Sequence, residues 1–77
     1  MGSRERFIVE MMDGGGINHC FSIYAEKDNP AQALGKVFCS FSDYGVPWGI
    51  EKDGISSVRV YRYSDGTSLL TIGQVDE

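Results

Sequence analysis

The run Asp28-Asn29-Pro30-Ala31-Gln32, followed by Leu34, Val37, Phe38 and Phe41, decides the fold. Asn29 can accept a hydrogen bond from a free N–H of a helix start. Pro30 already has the φ of a first helical residue and lacks the amide that would need a partner there, and Gln32 completes the spacing of a capping box. The four apolar residues fall at i, i+3, i+4 and i+7, one stripe of a helix lying with that side on a core. Ala31, Gly35 and Cys39 form a neighbouring strip of small side chains. A glycine inside a helix costs about 1 kcal/mol relative to alanine, so the strip predicts close approach, to the sheet or to a partner. The helix is expected to stop between Ser42 and Gly45, with Gly45 as its cap and Pro47 unable to continue it. Val46-Pro47-Trp48-Gly49-Ile50, which carries the only tryptophan, reads as a loop, and Lys52-Asp53-Gly54 as a turn.

On both sides of this helix the period changes to two. Upstream, Arg6 to Met12 and His19 to Glu26 read as strands, with Phe21, Ile23 and Ala25 on one face of the second. Asp13-Gly14-Gly15-Gly16-Ile17-Asn18 joins them as a glycine-rich hairpin connection. Downstream, Ile55 to Tyr63 and Thr67 to Val75 flank Ser64-Asp65-Gly66. A three-residue loop gives Gly66 the left-handed position and pairs Tyr63 with Thr67. Val60 then faces Leu70 and Val58 faces Ile72. A two-residue loop would set Val60 against Thr71 and mix the faces, so the first register is expected. It leaves Arg59, Tyr61 and Tyr63 on the opposite side, with Leu69 and Thr71. The expected class is α+β: one domain over residues 1–77, order β-β-α-β-β, a four-stranded antiparallel sheet with one helix on one face and the other face open.

Seven Lys plus Arg against eleven Asp plus Glu give a net charge of -4 over 77 residues, which opposes docking on a phosphate backbone or an anionic membrane. A protein partner with a basic surface is expected instead, nucleic acid and membrane are not, and a homodimer is open. The carboxylates are spread along the chain rather than run together, which argues against a nucleic-acid mimic. No apolar stretch is long enough to cross a bilayer and no secretory signal pattern opens the chain, so a cytoplasmic protein is expected. Met1-Gly2-Ser3 resembles a myristoylation start, but that motif wants Ser or Thr where Arg6 stands. Cys20 and Cys39 are too few for a disulfide framework and are expected as free thiols.

The glycine run matches neither a phosphate-binding loop nor a dinucleotide fingerprint, which need further residues at fixed spacing. His19 and Cys20 are adjacent on a strand and point to opposite faces, so neither can activate the other; His19 with Cys39 remains geometrically open. One His and two Cys fall short of a zinc shell. No catalytic residue, metal or cofactor is expected. The aromatic set Tyr24, Tyr61 and Tyr63 with Arg59 carries more information, because Tyr and Arg are enriched at protein-interface hot spots. Stacked aromatics on an open sheet could also hold single-stranded RNA. The expected partner-binding residues are Arg59, Tyr61 and Tyr63, helped by the acidic turn residues Asp53 and Asp65.

The β-β-α-β-β order, the helix start Asn29-Pro30-Ala31-Gln32, the small acidic chain and the missing catalytic motif together resemble small phage or mobile-element inhibitors of the anti-CRISPR type. The resemblance implies a stoichiometric, non-enzymatic inhibitor that occupies a nucleic-acid-binding surface or a moving joint of a Cas effector complex. The alternative is a small RNA-binding or dimerising adaptor that uses the open tyrosine-bearing face.

Overall fold

A computed structural model describes residues 3–73. The elements are β1 (Arg4–Asp13), β2 (Asn18–Glu26), α1 (Pro30–Tyr44), α2 (Trp48–Asp53), β3 (Ile55–Arg62) and β4 (Ser68–Gly73). The residues Met1 and Gly2 of the myristoylation-like start and the predicted strand end at Val75 lie outside the described residues. The sheet runs β2-β1-β3-β4, with every neighbouring pair antiparallel. Thus β1 is an inner strand bonded on both sides, and the two hairpins are joined through it.

Alternation along β1 builds the core. Phe7, Val9 and Met11 point to one face and are fully buried. Across the ladder Phe7 meets Ile23 and Val9 meets Phe21 on β2, while Val9 meets Val60 and Met11 meets Val58 on β3. Helix α1 closes this face with Ala33 and Val37. Its start is as the sequence predicts: the Asn29 side chain accepts from Gln32 N–H at 3.0 Å and Pro30 stands in the first turn. Gln32 does not reach back to the cap amide. Its Oε1 instead accepts the Glu26 N–H at 2.6 Å, tying the helix to the end of β2. The helix ends at Gly45, whose φ of 99° is open to glycine at no steric cost and whose N–H bonds Phe41 O at 2.9 Å.

Only part of the apolar stripe is buried. Leu34 and Phe41 pack half-buried against the core, but Phe38 is 43% exposed and touches Phe41 edge-on from outside. The reason is lateral placement, since α1 lies mainly over β2. The stripe is wider than the surface it meets. The small strip Ala31, Gly35 and Cys39 faces away from the sheet, and a Cβ on Gly35 would touch nothing within 4 Å, so the sheet is not what it approaches.

Two expectations are corrected. The chain has a second helix: α2 occupies the segment read as a loop and a turn, closed by Glu51 N–H to Pro47 O at 2.9 Å and Gly54 N–H to Ile50 O at 2.7 Å. It buries Ile50, so the sheet face carries two helices rather than one. In the last hairpin Val58 faces Ile72 and Val60 faces Leu70, as read. However, the ladder shifts between Val60 and Tyr61, and Arg62, not Tyr63, bonds Thr67, with its N–H on Thr67 O at 2.8 Å. The bulge turns Leu69, expected on the open side, against the core.

Candidate functional site: the open sheet face

The alternation that sends Phe7, Val9 and Met11 inward sends Arg4, Arg6, Ile8, Glu10 and Met12 outward, onto a face that no helix covers. Register places these residues in rows. Arg6 stands between Tyr24 of β2 and Tyr63 just beyond β3, Ile8 between Ser22 and Tyr61, and Glu10 between Cys20 and Arg59. The Arg6 guanidinium lies 4.1 Å from the centre of the Tyr63 ring, and its Nε donates to Ser22 Oγ at 2.6 Å. Arg59 Nη1 donates to Tyr61 Oη at 3.0 Å, and Tyr61 Oη donates to Glu10 Oε1 at 3.3 Å. The Tyr61 hydroxyl and, behind it, Glu10 raise the pKa of Arg59 further above its ordinary value. A recess of about 150 Å³ opens beside this chain of bonds, lined by Glu10, Met12, Asn18, Ser57 and Arg59.

The predicted residues Arg59, Tyr61 and Tyr63 therefore share one face. Asp53 and Asp65 do not join them. Asp53 closes α2, where its main-chain oxygen sits so close to Gly14 that a Cβ there would collide with it. Asp65 lies in the β3–β4 turn, where it accepts the Thr67 N–H at 3.0 Å and an Arg62 bond at 3.4 Å. Hydrogen bonding from Thr67, and then the charge of Arg62, lowers its pKa. Arg62 points to the helix side and also pairs with Glu5 and Asp28, each at 3.3 Å.

Charge is consequently sorted by side. Three of the four arginines, Arg4, Arg6 and Arg59, occupy open-face positions against Glu10 and Glu26, in a chain whose total is -4. None of the three forms a salt bridge among the described residues, whereas Arg62 on the other side holds three carboxylates. Sequence reading missed Arg6 and Arg4 because it did not place β1 beside β3. The signal was present in the alternation Arg4, Arg6, Ile8 against Phe7, Val9, Met11.

A second cluster was missed altogether. Asp13, at the end of β1, is only 2% exposed, and its carboxylate accepts from Gly15 N–H at 2.9 Å, Ile17 N–H at 3.0 Å and His19 Nε2 at 2.9 Å. The His19 bond and then the Ile17 amide hold this carboxyl below its ordinary pKa. His19 is thus partnered with Asp13 rather than Cys39. Gly49 of α2 covers the pair so closely that a Cβ there would collide with the Asp13 carboxylate. The cluster locks the glycine loop under α2. Cys20 and Cys39 are free and exposed. No three His, Cys, Asp or Glu side chains gather as metal ligands among the described residues, and no helix is long and apolar enough to cross a membrane. No family model, curated protein or solved structure matches the chain.

Proposed function

We propose that the protein works by stoichiometric, non-catalytic binding of a protein partner through the open sheet face. The observation that carries this reading is the sorting of Arg4, Arg6 and Arg59 with Tyr24, Tyr61 and Tyr63 onto the one uncovered face of an otherwise acidic chain. Tyr brings large contact area at low entropic cost, and both Tyr and Arg are enriched at interface hot spots. The face itself favours an acidic stretch on the partner, by charge complementarity. That differs from the basic surface expected from net charge alone. An inhibitor of the anti-CRISPR type acting through this face would engage a moving joint rather than a basic nucleic-acid groove.

The row Tyr24, Arg6, Tyr63 also favours a second reading, since exposed aromatics flanking a guanidinium on a sheet can stack unpaired bases. One experiment separates the two. The partner is captured from host lysate, and wild-type protein is titrated against it and, in parallel, against single-stranded RNA at rising salt. Under the first reading Tyr61→Ala weakens protein binding by about 2 kcal/mol with little loss of folding stability. Salt-sensitive RNA binding with no captured protein would replace it with the second.

A further inference from the structure

The sheet has two edges, and they are finished differently. Strand β4 covers six of the described residues and meets β3 through a register shift at Val60 and Tyr61. Short, bulged edges are a common guard against strand addition. Strand β2 is nine residues long and pairs with β1 in unbroken register from Asn18 to Glu26.

The main-chain groups of β2 can be assigned to sides. In an antiparallel ladder the N–H and C=O of one residue point the same way, and successive residues alternate. Lys27 N–H bonds Ser3 O and Asp13 N–H bonds Ile17 O, so the odd positions face β1. Glu26 N–H is taken by Gln32 and Tyr24 O by Lys36 Nζ at 3.0 Å, so the even positions face outward and α1 plugs that end of the edge. The outward groups of Asn18, Cys20 and Ser22 meet no hydrogen-bond partner among the described residues. No Pro, Lys or bulge protects this stretch.

We propose that a second copy of the chain pairs along this exposed half of β2, antiparallel, about a twofold axis through Cys20. The segment is self-complementary. Cys20 meets its own copy, Asn18 faces Ser22 on the open side, and His19 faces Phe21 on the helix side. No residue from Asn18 to Ser22 is an Asp, Glu, Lys or Arg, so the self-pairing sets no like charges opposite one another. The plugged end, Tyr24 to Glu26, falls outside the paired segment beside the glycine loop of the other copy. About six main-chain hydrogen bonds close in this register. The axis stands perpendicular to the sheet, so both pairs of helices lie on one side and both arginine–tyrosine faces merge on the other into one eight-stranded surface. This dimer does not depend on what the open face binds.

The test is sedimentation of the full chain under reducing conditions from dilute to near-millimolar concentration, with amide exchange measured on the same samples. The mass of the wild type rises toward twice 8.5 kDa, and the Cys20 and Ser22 amides slow with concentration. Cys20→Lys, at an exposed position, sets two ammonium groups opposite each other and gives monomer with an unchanged melt. Ser22→Pro, which removes an outward N–H, also gives monomer. A wild type that stays monomeric overturns the proposal, as does a Cys20→Lys chain that dimerises normally. Protection of those amides only on adding the captured partner overturns it in favour of a foreign strand.

Discussion

The two faces of this sheet come from the same four strands and behave in opposite ways. On the helix side, Phe7, Val9, Met11 and Val60 are removed from water, and Arg62 is tied to three carboxylates. On the other side, Tyr61 links Arg59 to Glu10 by hydrogen bonds, Arg6 bonds Ser22 and lies over Tyr63, and Tyr24 and Tyr63 are 55% and 54% exposed. One face carries stability and the other carries contact chemistry. The largest test of that division is Phe7→Ala, which leaves a void under α1 and is expected to cost about 3–5 kcal/mol, enough to unfold much of so small a domain. Phe38→Ala, on the outer flank of the same helix, is expected to cost less than about 1 kcal/mol. Equal losses in denaturant melts of the two variants would break the comparison on the helix side.

The next effect sits where the helix side meets the glycine loop. Gly49 leaves no room for a methyl group above the Asp13 carboxylate, so Gly49→Ala must shift α2 or the buried pair. A loss of about 1–3 kcal/mol is expected, read by thermal melting. Asp13 itself gives a pH signature. Its folded pKa is lowered, so its contribution is fully present above the unfolded carboxyl value of about 3.9 and disappears as pH falls through the folded value. The melting temperature of the wild type should therefore drop on acidification below about pH 4, and Asp13→Asn should flatten that part of the curve. An Asp13→Asn profile parallel to the wild type would show that the carboxylate is not the group being protonated.

Local signals made much of this legible. Asn29, Pro30 and Gly45 mark a helix by steric and capping rules that act within a few residues, and the pairing of Val58 with Ile72 and Val60 with Leu70 follows from burial, although a bulge after a longer loop, rather than a three-residue loop, delivers it. What escaped was set at long range. The pairing of β1 with β3 joins residues some fifty positions apart, and no pattern within either strand announces its neighbour. With it went the placement of Arg6 beside Tyr63 and Glu10 beside Arg59. Helix α2 escaped for another reason: six residues with a single buried apolar side chain, Ile50, have no period to detect. Asp13 read as a loop carboxylate because its partners, two loop amides and His19 at the start of β2, are brought to it by a turn whose closure the sequence does not specify.

The smallest effect sharpens the comparison most, because it asks whether the open face is held rigid by its own contacts. Arg6 over Tyr63 is an exposed cation–π pair, and such pairs contribute about 0.5–1 kcal/mol. Tyr63→Phe keeps the ring face and should leave the melting curve unchanged. Tyr63→Leu and Arg6→Met each remove one partner, and the double variant completes a cycle whose coupling energy should not exceed about 1 kcal/mol. Arg6 also bonds Ser22, so the cycle rather than the single loss isolates the stacking. A coupling within that limit describes side chains that stay near their rotamers yet release cheaply to a partner. A coupling of several kcal/mol would make the row a structural brace, and the open face would then be a second stabilising layer rather than a binding surface.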